Sequence, residues 1–68
     1  MKLTVETEQE ADGRWIAEIM EIPGVLTYAA TRDEALAQAE ALALRVIADR
    51  IEHGERPAEP IEITFAAA

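Results

Sequence analysis

Residues 2–20 read KLTVETEQEADGRWIAEIM, in which two alternating runs flank a turn sequence at residues 11–13. Alternation of apolar and polar residues with period two is typical of a half-buried strand. A three-residue loop pairs Val5 with Ile19, whereas a two-residue loop would pair Val5 with Met20, and cross-strand partners share one face of the sheet. We expect the three-residue loop because it gathers the larger apolar set on one face, namely Leu3, Val5, Trp15, Ala17 and Ile19.

A long amphipathic helix is the clearest signal outside this hairpin. The Pro-Gly pair at residues 23–24 favours a chain reversal, after which residues 25–29 form a short third strand. Thr31 and Glu34 match a capping box at the start of a helix-forming stretch, residues 32–52. One helical row comprises Ala35, Ala39, Leu42, Val46 and Asp49, and the row beside it comprises Leu36, Ala43, Ile47 and Ile51. This stripe is wide enough to pack against a sheet.

A fourth strand completes the predicted fold. A linker through Pro57 and Pro60 precedes an apolar alternation at residues 61–65, and we expect residues 66–68 to be a frayed tail beyond a single domain of residues 1–65. The element order is β-β-β-α-β, and a right-handed crossover through the helix places the fourth strand beside the first. The prediction is an α+β fold: a mixed four-stranded sheet in the order 3-2-1-4 with one helix packed on one face.

The composition of the 68 residues excludes several classes of function. Fourteen acidic residues against six basic ones give a net charge of −8, so we expect direct binding neither to nucleic acid nor to an anionic membrane. Such a chain suits a basic protein partner. The sequence contains neither Ser nor Cys, which excludes nucleophilic triads built on those residues. Without a signal-peptide core or a membrane-length apolar run, the expected location is the cytoplasm.

The sheet face that the helix leaves uncovered carries the candidate partner-binding residues, which are Glu6, Glu8, Ile16, Glu18 and Met20. The three glutamates suit a basic surface, and the two apolar side chains suit an interface. A chain this short has a thin folding margin, so we also expect a homo-oligomer, a dimer or higher. Trp15, Tyr28 and Phe65 are expected to anchor the core, with an interface role as the alternative.

We expect no catalytic residue, no metal and no cofactor, and therefore no enzyme. His53 lies in the last helical turn, where its charge interacts favourably with the helix dipole, and this accounts for it more simply than catalysis or metal binding. Clustered carboxylates do occur in two-metal nucleases. That alternative predicts Mg²⁺ or Mn²⁺ binding that is lost on Glu18→Gln.

Three motifs taken together resemble the N-terminal domain of HicB-type antitoxins: DGRWIAE (12–18), IPGV (22–25) and ATRDEAL (30–36). That family reads broadly as Gly-aromatic-apolar-Ala, then a Pro-Gly reversal, then Thr-x-x-Glu-Ala-Leu at the start of a helix. The resemblance covers residues 2–52 and implies a partial ribonuclease-H-like fold of β-β-β-α-β order. It also implies that the chain binds and neutralises a HicA-type toxin, a small basic protein that cleaves messenger RNA.

Full-length antitoxins of that family also carry a C-terminal domain that binds operator DNA. This sequence stops soon after residue 65, so the resemblance implies no C-terminal DNA-binding domain here. The alternative function is an orphan homo-oligomeric interaction module without a toxin partner.

Overall fold

A computed structural model describes residues 1–55 and 60–68, and the linker residue Pro57 lies outside them. The elements in chain order are β1 (Lys2–Gln9), β2 (Trp15–Ile19), β3 (Leu26–Ala29), α1 (Arg32–Glu52) and β4 (Thr64–Ala67). The strands form one mixed sheet in the order β3-β2-β1-β4, in which β1 is antiparallel to β2 and parallel to β4. α1 packs over β1, β2 and β3 on one face. The predicted α+β fold and strand order are confirmed.

The β1–β2 hairpin has the predicted three-residue loop. Val5 pairs with Ile19 and Gln9 pairs with Trp15. Glu10 N–H donates to Arg14 C=O at 2.7 Å and closes the loop. Gly13 adopts a φ of 91°, a conformation that an L side chain disfavours. The glycine therefore fixes the register that directs the apolar side chains toward α1.

The core lies between this apolar sheet face and α1. The Thr31 hydroxyl caps the helix by accepting a hydrogen bond from Glu34 N–H at 3.2 Å. The buried row of α1 differs from the predicted central row, because Asp49 is exposed and the buried positions are Ala35, Ala39, Ala43 and Ile47. Three alanines in this row let the helix approach the sheet closely. The buried residues they meet are Leu3, Val5, Ala17, Ile19, Ile22 and Val25.

The predicted bounds of the fourth strand and of the frayed tail were wrong. β4 begins at Thr64 and includes Ala66 and Ala67, which pair with Thr4 and Val5 of β1. The Ala68 N–H also donates to Val5 C=O at 2.9 Å. The difference has a simple cause. Lys2, the first residue of β1, lies opposite Thr64, so residues 61–63 have no β1 residue opposite them. The ordered domain therefore extends beyond residue 65.

The described residues include no helix that would cross a bilayer, since α1 contains no sufficiently long apolar window.

Candidate protein-binding surface

The sheet face opposite α1, called the open face below, carries all five predicted partner-binding residues. Glu6 and Glu8 lie on β1, Ile16 and Glu18 lie on β2, and Met20 follows β2 directly. The Met20 N–H donates to Thr4 C=O at 3.0 Å and so continues the β1–β2 ladder by one residue. Alternation along both strands directs these side chains away from α1. The predicted cluster is therefore present in space, and its role in binding stays a prediction.

Four of the five predicted residues line a shallow depression of about 330 Å³ on the open face. Its walls are formed by Glu6, Thr7, Glu8, Ile16, Glu18 and Ala68. Three carboxylates and the Ile16 side chain thus border a depression that is open to solvent. This combination suits a long cationic side chain, because the aliphatic stem can contact Ile16 while the charged end meets a carboxylate.

Two of these carboxylates oppose each other across the hairpin. Glu6 and Glu18 are direct cross-strand partners, and both are exposed. Like charges at such positions destabilise a sheet, whereas opposite charges stabilise it. The open face thus carries an electrostatic cost that a bound cation would relieve.

Glu21 adds a fourth carboxylate that the sequence analysis did not single out. Its two oxygens accept hydrogen bonds from the Thr4 N–H at 2.7 Å and from the Thr4 hydroxyl at 2.8 Å. The backbone N–H bond, followed by the hydroxyl bond, holds the pKa of Glu21 below its usual range. Glu21 follows β2 by two residues, and a search for acids just past the hairpin would have identified it.

Sequence reasoning also missed the apolar part of the open face contributed by β3. Tyr28 pairs with Ile16, and Leu26 pairs with Glu18, so both β3 side chains point away from α1. Tyr28 is 45% exposed and Leu26 is 38% exposed, which makes the expected core role of Tyr28 wrong. The Arg14 guanidinium lies 5.0 Å from the centre of the Tyr28 ring. The β3 part of the open face is therefore apolar, while the acidic side chains lie on β1 and at Glu18 of β2.

Trp15 and Phe65 differ from Tyr28, because both are half-buried and pack against the core. Trp15 is paired with Ala29, and Phe65 is paired with Leu3, which places both on the α1 side of the sheet. The expected core role is confirmed for these two aromatic residues.

Within the ranges 1–55 and 60–68, no three His, Asp or Glu side chains group closely enough to hold a metal ion. His53 caps the C-terminal end of α1, where its Nδ1 lies 2.7 Å from Asp49 C=O and 3.4 Å from the Asp49 carboxylate. Both contacts belong to the helix end, in agreement with the predicted structural role.

Comparison with solved structures identifies a relative in the extremely thermophilic bacterium Thermus thermophilus, the hypothetical protein TTHA1013. The two sequences are 33% identical, and the alignment covers 100% of this chain and 93% of the relative with a TM-score of 0.58. The chain belongs to the same family as TTHA1013. No family model and no curated protein matches the sequence. The similarity to TTHA1013 therefore extends over the whole chain, and it supports the fold described above.

Proposed function

We propose that the chain is an antitoxin module of the HicB-like type, whose open face binds and neutralises a small basic HicA-type toxin in the cytoplasm. The observation that carries this proposal is the unrelieved Glu6–Glu18 pair beside Ile16 on a sheet face without cover. A cationic side chain from a partner would neutralise the pair and cover Ile16 in one contact. The partner class comes from the three sequence motifs.

Charge supports the same partner over longer distances. The chain carries a net charge of −8, and a basic protein is attracted to such a field before contact, which raises the association rate. Neutralisation by this module requires only occupancy: the bound domain covers the basic surface with which the toxin would hold RNA. No bond is made or broken by the module itself.

The test is calorimetric titration of the full chain with a purified basic protein of the HicA type. The double variant Glu6→Gln/Glu18→Gln removes two charges from the open face, and we expect it to weaken binding by roughly tenfold or more. The control Glu52→Gln/Glu55→Gln removes two exposed charges, one at the last residue of α1 and one three residues beyond it. It keeps the affinity within about twofold, because only long-range steering changes. Equal weakening in both double variants, or no complex at low salt, would overturn the proposal.

The second candidate, an orphan homo-oligomeric module, is favoured by the exposed apolar side chains of Met20, Leu26 and Tyr28. This candidate predicts a stable homo-oligomer, and it predicts that the chain does not rescue the growth of cells that express a HicA-type toxin. Rescue of growth by the wild-type chain, lost in Glu6→Gln/Glu18→Gln, distinguishes the antitoxin from this alternative.

A further inference from the structure

β3 presents unpaired backbone groups at one edge of the described sheet. The Ile19 N–H donates to Val25 C=O at 3.0 Å, and in an antiparallel ladder alternate residues point their backbone groups toward the neighbouring strand. Thr27 therefore directs its N–H and C=O toward β2, as Val25 does. Leu26 and Tyr28 direct theirs outward. These outward groups are a template for a further strand.

The sequence of β3 does little to prevent such pairing. Proteins protect edge strands with charged residues, proline, bulges or short length. β3 reads LTYA, without charge or proline, whereas the central strands β1 and β2 hold the charged residues of the sheet. Short length is the protection that β3 does have, and it limits a pairing to few hydrogen bonds.

We propose that β3 is a self-association edge, at which two copies of this chain pair antiparallel about a two-fold axis perpendicular to the sheet. Thr27 then lies opposite Thr27 of the second copy. Leu26 and Tyr28 exchange four main-chain hydrogen bonds with Tyr28 and Leu26 of the second copy. Each Leu26–Tyr28 contact is an apolar cross-strand pair of a kind that stabilises sheets.

Charge is complementary across this joint. Arg14 lies over Tyr28, and Glu18 is the β2 partner of Leu26. In the dimer, Tyr28 faces Leu26 of the second copy. Glu18 of the second copy is the next residue in this cross-strand row, because it pairs with that Leu26. Arg14 binds Asp12 through Nε at 2.8 Å, so its terminal nitrogens are the groups that can meet this Glu18. The symmetry repeats the contact, which makes two oppositely charged pairs at an otherwise uncharged edge.

The small size of the joint sets its expected strength. Two strands of four residues each meet along the edge, so the contact is at the low end of protein interfaces. We therefore expect a dimer that dissociates in roughly the micromolar range. The two-fold axis leaves both open faces on the same side of an eight-stranded sheet.

Sedimentation equilibrium of the full chain tests the joint, with Leu26→Lys as the edge variant and Met20→Lys as its control. Both substitutions add one positive charge at an exposed apolar position of the open face, but Met20 lies outside β3. We expect a dimer for the wild type, a dissociation constant raised about tenfold or more for Leu26→Lys, and little change for Met20→Lys. A wild-type chain that is monomeric up to roughly millimolar concentration, or equal effects of both variants, would overturn the proposal.

A second measurement does not depend on the lysine variants folding. The chain contains no cysteine, so Thr27→Cys introduces a single thiol opposite its own copy. Facing residues in this non-hydrogen-bonded position have Cα atoms about 4.5 Å apart, within the range that a disulfide spans. We expect Thr27→Cys to form a covalent dimer under mild oxidation. The control Thr64→Cys, on the opposite edge strand β4, should stay monomeric on a denaturing gel, and cross-linking there instead would refute the β3 joint.

Discussion

At the scale of single residues, the proposed binding role of Glu6 and Glu18 comes with a cost in folding stability. Because the two carboxylates are cross-strand partners, Glu18→Gln should raise the free energy of unfolding by roughly 0.2–1 kcal/mol. Urea denaturation at low salt measures this gain, which should shrink as salt screens the repulsion. Glu55→Gln, at an exposed position beyond the end of α1, is the matched control and should gain less. A loss of stability in Glu18→Gln would show that the opposed pair is not a cost.

Glu21 is the residue from which we expect a pH dependence. Hydrogen bonds from the Thr4 backbone N–H and hydroxyl lower its pKa in the folded chain. A carboxyl whose folded pKa lies below its unfolded pKa adds stability that is fully present above the unfolded value, and loses it as pH falls through the folded value. The wild type should therefore exceed Glu21→Gln in stability at neutral pH, with a difference that narrows below the ordinary glutamate pKa of about 4.5. Denaturation midpoints measured between neutral and acidic pH give the comparison, and a constant difference would contradict it.

At the scale of elements, the alanine row of α1 determines how closely the helix approaches the sheet. Ala39 is fully buried, so Ala39→Leu inserts three carbons where no space exists and should cost about 1–3 kcal/mol. The midpoint of thermal unfolding should fall by roughly 4–8 °C for each kcal/mol in a domain of this size. Ala37→Leu, at an exposed position of the same helix, is the control and should change the midpoint little. A similar loss in both variants would mean that packing against the sheet is not the cause.

The elements also show which features could be predicted from the sequence. The hairpin register was predictable because the loop length and the alternation of β1 and β2 are local. The bounds of β4 were not, because Thr64 is positioned by pairing with Lys2, far away in the chain. The acids that β1 and β2 place on the open face followed from alternation alone, whereas Glu21, beyond β2, did not. Tyr28 did not, since its face depends on pairing with Ile16 after the chain reversal.

At the scale of the whole molecule, an elongated and strongly acidic chain presents two different surfaces. Its extents are 43 × 20 × 16 Å, and its radius of gyration of 12.9 Å exceeds the roughly 11 Å of a compact domain of this length. The open face concentrates carboxylates on β1, whereas the β3 edge is uncharged. The proposed toxin contact and the proposed self-association share Glu18 and otherwise depend on different parts of the same sheet. Glu6→Gln should therefore weaken the toxin contact alone, whereas Leu26→Lys should act chiefly on self-association.

Added salt should strengthen self-association and weaken the complex with a basic protein. Two copies that each carry a net charge of −8 repel each other, and raising the ionic strength from about 0.1 M to 1 M shortens the screening length from about 10 Å to 3 Å. Self-association should therefore tighten with added salt, because the repulsion between the two net charges outweighs the two exposed Arg14–Glu18 pairs, which contribute little. A complex with a basic protein should weaken over the same range, because its attraction is screened. Sedimentation of the chain alone and calorimetry with the basic partner, each repeated across this range, measure the two trends. If self-association weakened with salt, ion pairs rather than the β3 backbone would hold the dimer. If the complex with the basic protein were insensitive to salt, the open-face carboxylates would not be its contact.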